Sequence, residues 1–154
     1  MRLSRKSDYA LRAIFMLVDH RGRGPLSIRQ LAEANRIPKP FLEHILLEMK
    51  ARGWVESLPG KRGGYLLARD PAEITMGMIV RHFDGILAPI DCVSVAAYRR
   101  CSQESVCRFR RVLLEVRNAV ASMMDQASLE VVHQRALVSH REVFSEGFVG
   151  GGGI

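Results

Sequence analysis

No stretch of this chain approaches the roughly 20 consecutive apolar residues that a membrane-spanning helix needs. The opening residues also lack the apolar run and small-residue cleavage site of a secretory signal, so a cytoplasmic protein with no membrane partner is expected. Cysteine is scarce: there are three in 154 residues, and all fall between Cys92 and Cys107. An odd, clustered set is a poor disulfide framework for a secreted protein, and in a reducing compartment clustered thiols point to metal or redox chemistry. The five histidines form no metal-type pair, and no acid-base pair or nucleophile elbow stands out. No enzyme is expected. The seven methionines suit core filling.

What is present fits a folded, soluble chain, with 47% apolar and 25% charged residues. The length suits one compact head with an extension. The formal charge of +7 is uneven. Residues 1–84 carry 15 Lys and Arg against 9 Asp and Glu, net +6, while residues 85–154 carry 8 against 7, net +1. A basic first half suits a polyanion, because Lys and Arg that neutralise phosphates release condensed counterions. Basic charge is also an ordinary solubility device, so charge alone decides nothing.

Periodicity supplies the architecture. From Ser4 to His20, the residues Tyr9, Ala10, Ala13, Ile14, Leu17 and Val18 fall on one stripe at helical spacing, which predicts a first helix. The break Arg21-Gly-Arg-Gly-Pro25 ends it. Ser27 with Gln30 forms a capping-box start for a short second helix over Ile28 to Ala34. Pro38 and Pro40 suit the first turn of a third helix, whose Phe41, Leu42, Ile45, Leu46 and Met49 recur at helical spacing to about Arg52. Two short helices joined by about four residues match a helix-turn-helix. A strand at 54–58, a Gly-rich turn at 59–64 and a returning strand at 65–68 then predict a β-hairpin wing.

The candidate DNA face comprises Ser27 and Arg29 at the start of the second helix, Lys39, Pro40, Phe41, Glu43 and His44 of the third, and Lys61, Arg62 and Gly63 at the wing tip. Lys39, Glu43 and His44 offer a donor, an acceptor and either to major-groove base edges. Glu43 equally suits an ordinary solvent-facing helix position. Glycine-flanked positive charge at a protruding tip can approach the minor groove or the sugar-phosphate backbone.

Downstream, Thr75 is expected to cap a helix through Phe83, and Asp84-Gly85 breaks it. Residues 86–107 show no sustained period and are expected to form a long loop, a feature that is usually functional. Phe109, Val112, Leu113, Val116, Val120 and Met123 then form a narrow stripe on a long helix to about Gln126. Such a seam seeks another helix, either the chain's own head or, as favoured here, a second copy that pairs two heads on a two-fold site. Cys107 is expected at the N-terminus of this helix, where the dipole favours a thiolate. A further short helix is expected over 128–145.

These residues carry a resemblance. Met1 to Ala13, Ile37 to Trp54, the wing Gly60-Lys-Arg-Gly-Gly-Tyr-Leu-Leu-Ala68 and Glu73-Ile-Thr75 resemble the Rrf2 family of bacterial regulators over roughly residues 1–130. The resemblance implies a mainly α fold with a small β-hairpin wing: a winged helix-turn-helix head at 1–84, a cysteine-bearing sensor loop at 85–107, a dimerisation helix with a C-terminal helical segment at 108–145, and a flexible Gly-rich tail at 146–154. It also implies a homodimer bound to a double-stranded DNA operator. Cluster-binding members carry three cysteines before the long helix, as here in Cys92-x8-Cys101-x5-Cys107. The resemblance therefore implies an iron-sulfur cluster held by Cys92, Cys101 and Cys107. Clusters normally take four protein ligands. The position where some members place a histidine is Arg110, and the resemblance implies Asp8 of the partner subunit as fourth ligand, with 4Fe-4S favoured over 2Fe-2S. Asp8 is equally a first-turn carboxylate that suits the helix dipole. Arg99, Arg100, Arg108 and Arg110 could offset a cluster's charge or form a solvated face. The alternative is a cluster-free member that responds to thiol oxidation, a small metabolite or a partner protein. A third reading makes the winged head an adaptor for protein contacts.

Overall fold

A computed structural model describes residues 2–143 of the chain; the expected tail at 146–154 lies outside the described residues. Ser4 starts α1 (Arg5–Asp19) by accepting the Ser7 N–H on its hydroxyl at 3.1 Å. A side-chain cap of this kind is worth about 1 kcal/mol. The predicted stripe is the buried face except for Tyr9, which is half-buried, and Leu11 and Ser7 join it. The Ser27–Gln30 capping box forms in both directions and opens α2 (Ile28–Asn35). Arg36 then takes a left-handed conformation, φ 54°, so that the chain reverses into α3 (Lys39–Ala51), which has Pro38 as cap and Pro40 in the first turn. Leu42, Ile45, Leu46 and Met49 of α3 are buried against α1 and α2.

The wing is an antiparallel pair, β1 (Val55–Leu58) and β2 (Gly64–Leu67), in the register Val55 opposite Leu67 and Leu58 opposite Gly64. Its far edge is closed by Leu26, which exchanges two backbone hydrogen bonds with Tyr65, at 2.9 and 2.8 Å. A Cβ at position 64 would stand 2.3 Å from the Leu26 carbonyl oxygen, and one at 63 would stand 2.1 Å from that of Leu58. Gly63 and Gly64 are therefore required by close backbone approach as well as by the turn.

A short 3₁₀ turn (Pro71–Glu73) leads to α4 (Met76–Asp84), capped by Thr75 as expected. The segment after Gly85 contains one 3₁₀ turn, Asp91–Val93, and otherwise no regular element until α5 (Arg110–Gln126). Two expectations need correction here. Cys107 is not at the start of the long helix, because the helix begins at Arg110 with Phe109 as its cap, and Phe109 has no side-chain acceptor. The expected single helix over 128–145 is two pieces, α6 (Leu129–His133) and α7 (His140–Val143). Between them Leu137 is almost fully exposed, and no apolar face is available to hold a continuous helix.

The stripe on α5 also divides. Leu113 and Val120 are half-buried together with Arg110, Leu114, Arg117, Ala121 and Met124 on the side that meets α4 and the 91–93 turn. Phe109, Val112, Val116 and Met123 lie on the adjoining, exposed side, with Ala119 completing a 3-4-3-4 spacing. Past α5 the chain returns to the head. Met76 N–H donates to Ala127 and Leu129 N–H to Ile74, and Leu129 itself is fully buried in the common core. Among the described residues no helix is long and apolar enough to cross a membrane.

Candidate nucleic-acid interface and cysteine loop

The buried face of α3 fixes what its other face presents. Lys39, Pro40, Phe41, Glu43 and His44 are all exposed. Lys39 and Glu43 form a loose pair at 3.9 Å, so each can exchange its partner for a base edge at little cost. Phe41 is less free, because its ring meets Tyr9 edge-to-face at 5.6 Å. At the start of α2, Ser27 spends its hydroxyl and its N–H on Gln30, and Arg29 pairs with Glu33 at 2.7 Å. Arg29 has to leave that pair to meet a phosphate. Lys61 and Arg62 stand exposed at the wing tip and have no ion pair among the described residues. The sequence reading missed Leu47, 59% exposed on the same face of α3. Its position four residues after Glu43 was a usable signal, since it breaks the buried period.

The three cysteines occupy different surroundings. Cys92 is buried in the 91–93 turn, Cys107 is half-buried and Cys101 is exposed, and all three are free thiols. Cys92 and Cys107 line one cleft of about 390 Å³ with Arg110, Arg111 and Arg117. Cys101 lines an adjoining cleft of about 320 Å³. Tyr98, Glu104 and Arg110 line both clefts and form the wall between them. The Tyr98 hydroxyl donates to Glu104 at 2.7 Å, Arg110 pairs with the other Glu104 oxygen at 2.5 Å, and Arg110 also donates to the Cys92 carbonyl at 2.8 and 3.2 Å. The Tyr98 hydroxyl lowers the Glu104 pKa, with Arg110 adding to the effect, and Glu104 in turn raises that of Tyr98. Two turns along α5, Arg117 donates to the Val93 carbonyl at 3.0 Å.

An iron-sulfur cluster fits this loop by donor type but not by placement. Three thiols and a surround of guanidinium groups suit its charge. Yet no three His, Cys, Asp or Glu side chains converge among the described residues, and Asp8 is taken by Arg12 at 2.8 Å. Within one chain no ligand set is preformed. The position the resemblance flagged, Arg110, is instead the clasp of the loop.

The described geometry matches known proteins over nearly its whole length. The Rrf2 family model, described as an iron-dependent transcriptional regulator, matches residues 3–135. An rrf2-like HTH-type transcriptional regulator of Rhodobacter capsulatus is 37% identical over 134 residues, covering 83% of this chain and 89% of the relative. The HTH-type transcriptional regulator NsrR of Bacillus subtilis is 30% identical over 142 residues, covering 92% and 93%. Among solved structures, CymR, the global cysteine regulator of B. subtilis, superposes with a TM-score of 0.71 at 27% identity, over 86% of this chain and 96% of that one. These relatives are regulators and not enzymes, and with its winged reading head set before a long helix the chain belongs to the Rrf2 family of DNA-binding transcriptional regulators.

Proposed function

We propose that this regulator acts as a homodimer whose affinity for a double-stranded DNA operator is set by the chemical state of the cysteine loop. The observation that carries it is the shared cleft of Cys92 and Cys107, walled by the arginines of α5 that bond the loop backbone. A change at either thiol pulls on the helix that bears the exposed 3-4 seam. Such a seam, Phe109, Val112, Val116 and Met123, favours a second copy, and two heads at fixed spacing read a two-fold site. On the DNA side, Ser27, Arg29, Lys39, Pro40, Phe41, Glu43 and His44 would face the major groove and its phosphates, with Lys61, Arg62 and Gly63 at the neighbouring backbone. Differential affinity between the two loop states is the thermodynamic requirement.

In the first form of this proposal an iron-sulfur cluster is held by Cys92, Cys101, Cys107 and the partner subunit's Asp8, and supplies redox or nitric-oxide reactivity. The family's iron-dependent description and the likeness to NsrR support it. The second form is a cluster-free thiol switch. The separation of Cys101 from the other two thiols and the likeness to CymR favour that form. Anaerobic isolation with iron, sulfide and absorption measurements decides between them. A colourless protein that takes up no iron on reconstitution removes the first form; a visible charge-transfer band with matching iron and sulfide removes the second.

A further inference from the structure

The reading helix and the helix that leads into the cysteine loop barely approach each other. α4 packs along α1 and α5, while its backbone scarcely meets α3. Both contribute to the common apolar core, and the polar link between them among the described residues is one side chain. His82, two residues from the end of α4 and with a side chain only 18% exposed, accepts the Arg52 Nε–H on Nδ1 at 3.0 Å. Its Nε2 stands 3.2 Å from Glu48 Oε2. With Nδ1 occupied as an acceptor, the ring proton sits on Nε2 and is donated to Glu48. The other Glu48 oxygen takes the Lys6 ammonium of α1 at 2.6 Å. Chiefly through Lys6, the Glu48 carboxyl is held below its usual pKa range.

The ring is also fixed on its faces. It meets Trp54 edge-on at 5.6 Å and Phe83 at 4.7 Å, and Lys6 lies over the Phe83 ring at 5.3 Å. Trp54 is where the wing begins: its N–H donates to Met49 of α3 and its carbonyl accepts the Ala68 N–H beyond β2. On its other side α4 is tied to α5 through Arg81 and Asp125. Loop, long helix, reading helix and wing base thus all bear on the setting of one imidazole.

We propose that His82 is the positioning residue through which the state of the cysteine loop reaches the reading helix and the wing. The proposal rests on the function proposed above and names the route within it. A rigid ring that bonds α3 at two points spaced by its own nitrogens cannot follow a rotation of α4 without losing at least one bond. Glu48 and Arg52, one turn apart on α3, then lose a shared partner. An exposed ion pair would simply re-form after such a movement, which is why a half-buried ring transmits and a surface pair does not. The sequence hides this site, since Glu48 and Arg52 lie 34 and 30 residues from His82.

The test compares wild type with His82→Phe, which keeps the ring and removes both polar arms, and with His82→Gln, which keeps an acceptor and a donor. Arg52→Ala, at an exposed helix end, serves if His82→Phe does not fold. The probe is a duplex selected by the wild-type protein from a random DNA library. Two readouts are taken with the thiols reduced and again after iodoacetamide: duplex affinity, and emission of Trp54, the chain's single tryptophan. Wild type is expected to change affinity by about five-fold or more between the two states and to shift its emission; His82→Phe should bind the duplex with less than about two-fold coupling and an unmoved emission, and His82→Gln should recover most of both. His82→Phe with wild-type coupling, or wild-type coupling with Trp54 unaffected, overturns the proposal. Failure of wild type to select any duplex sinks the DNA-binding function instead. In that case Trp54 alone decides the route: an alkylation response present in wild type and lost in His82→Phe upholds it, and equal or absent responses overturn it.

Discussion

In the reading head, Ile14, Leu31, Leu42, Ile45, Leu46 and Ile79 are completely excluded from solvent, whereas between α4 and α5 only Cys92 and Val93 are buried. The head is held by apolar burial, at about 25 cal/mol per Å² removed from water, and its helices start on side-chain caps or on proline. The loop is held by directional bonds, and those that tie it to α5 run from Arg110 and Arg117 to backbone carbonyls or to Glu104. Burial is distributed and forgiving; a clasp is local and can be undone at one atom. Regulatory segments are drawn from the low-stability end of a structure for this reason.

The contrast can be broken from either side. The largest effect is expected at Leu129, which joins the chain beyond α5 to the head's core: Leu129→Ala should cost about 2–5 kcal/mol of unfolding free energy in a urea titration. Gly77→Val comes next. A Cβ there would stand 2.1 Å from Asp125 Oδ1 and 3.0 Å from its backbone nitrogen, so α5 must move away from α4, at about 1–3 kcal/mol. A Tm equal to wild type would contradict that packing. At the proposed DNA face, the double change Lys61→Ala with Arg62→Ala should leave stability nearly unchanged and make the slope of log affinity against log salt shallower by about 2. Arg110→Ala should move the unfolding midpoint little while raising the rate at which a thiol reagent labels Cys107. An unchanged labelling rate would remove the clasp from the description.

The smallest effect is a pH dependence confined to the loop. The Glu104 pKa is lowered, first by Tyr98 and then by Arg110, so the contribution of this carboxylate is full above its unfolded value of about 4.3 and is lost as pH falls through the lowered value. The Tyr98 pKa is raised, chiefly by Glu104, so its contribution is full below its unfolded value of about 10 and is lost as pH rises through the raised one. Amide exchange around Tyr98 and Cys101, corrected for intrinsic rates, should therefore be slowest between those limits, while the head's protection stays flat.

Much of the head was legible in the sequence, because its signals are local. Ser4, Ser27 and Thr75 announce their helices within three residues, and the α1 stripe and the Gly63-Gly64 turn lie within single elements. The loop was not legible, because Arg110 finds Cys92 across 18 residues and Arg117 finds Val93 across 24. The apolar residues of α5 read as one narrow stripe, and only the packing of α4 divides them, so that Leu113 goes in and Val112 out. The placement of Cys107 failed for a simpler reason: nothing near Phe109 caps a helix, and the turn runs on until Arg110.

The pairing of Ile74 and Met76 with Ala127 and Leu129 has a mechanical consequence. With its far end stitched to the core and its near end held by guanidinium bonds to the loop, α5 is a rod pinned at both ends. A rod so mounted resists swinging but can roll about its own axis. Cutting the bonds at the loop end leaves it held by its packing along α4, by the Arg81–Asp125 pair and at residues 127–129, with the loop end released. The loop end of the seam then becomes free to swing, and in the proposed dimer the angle between two such rods ceases to be fixed.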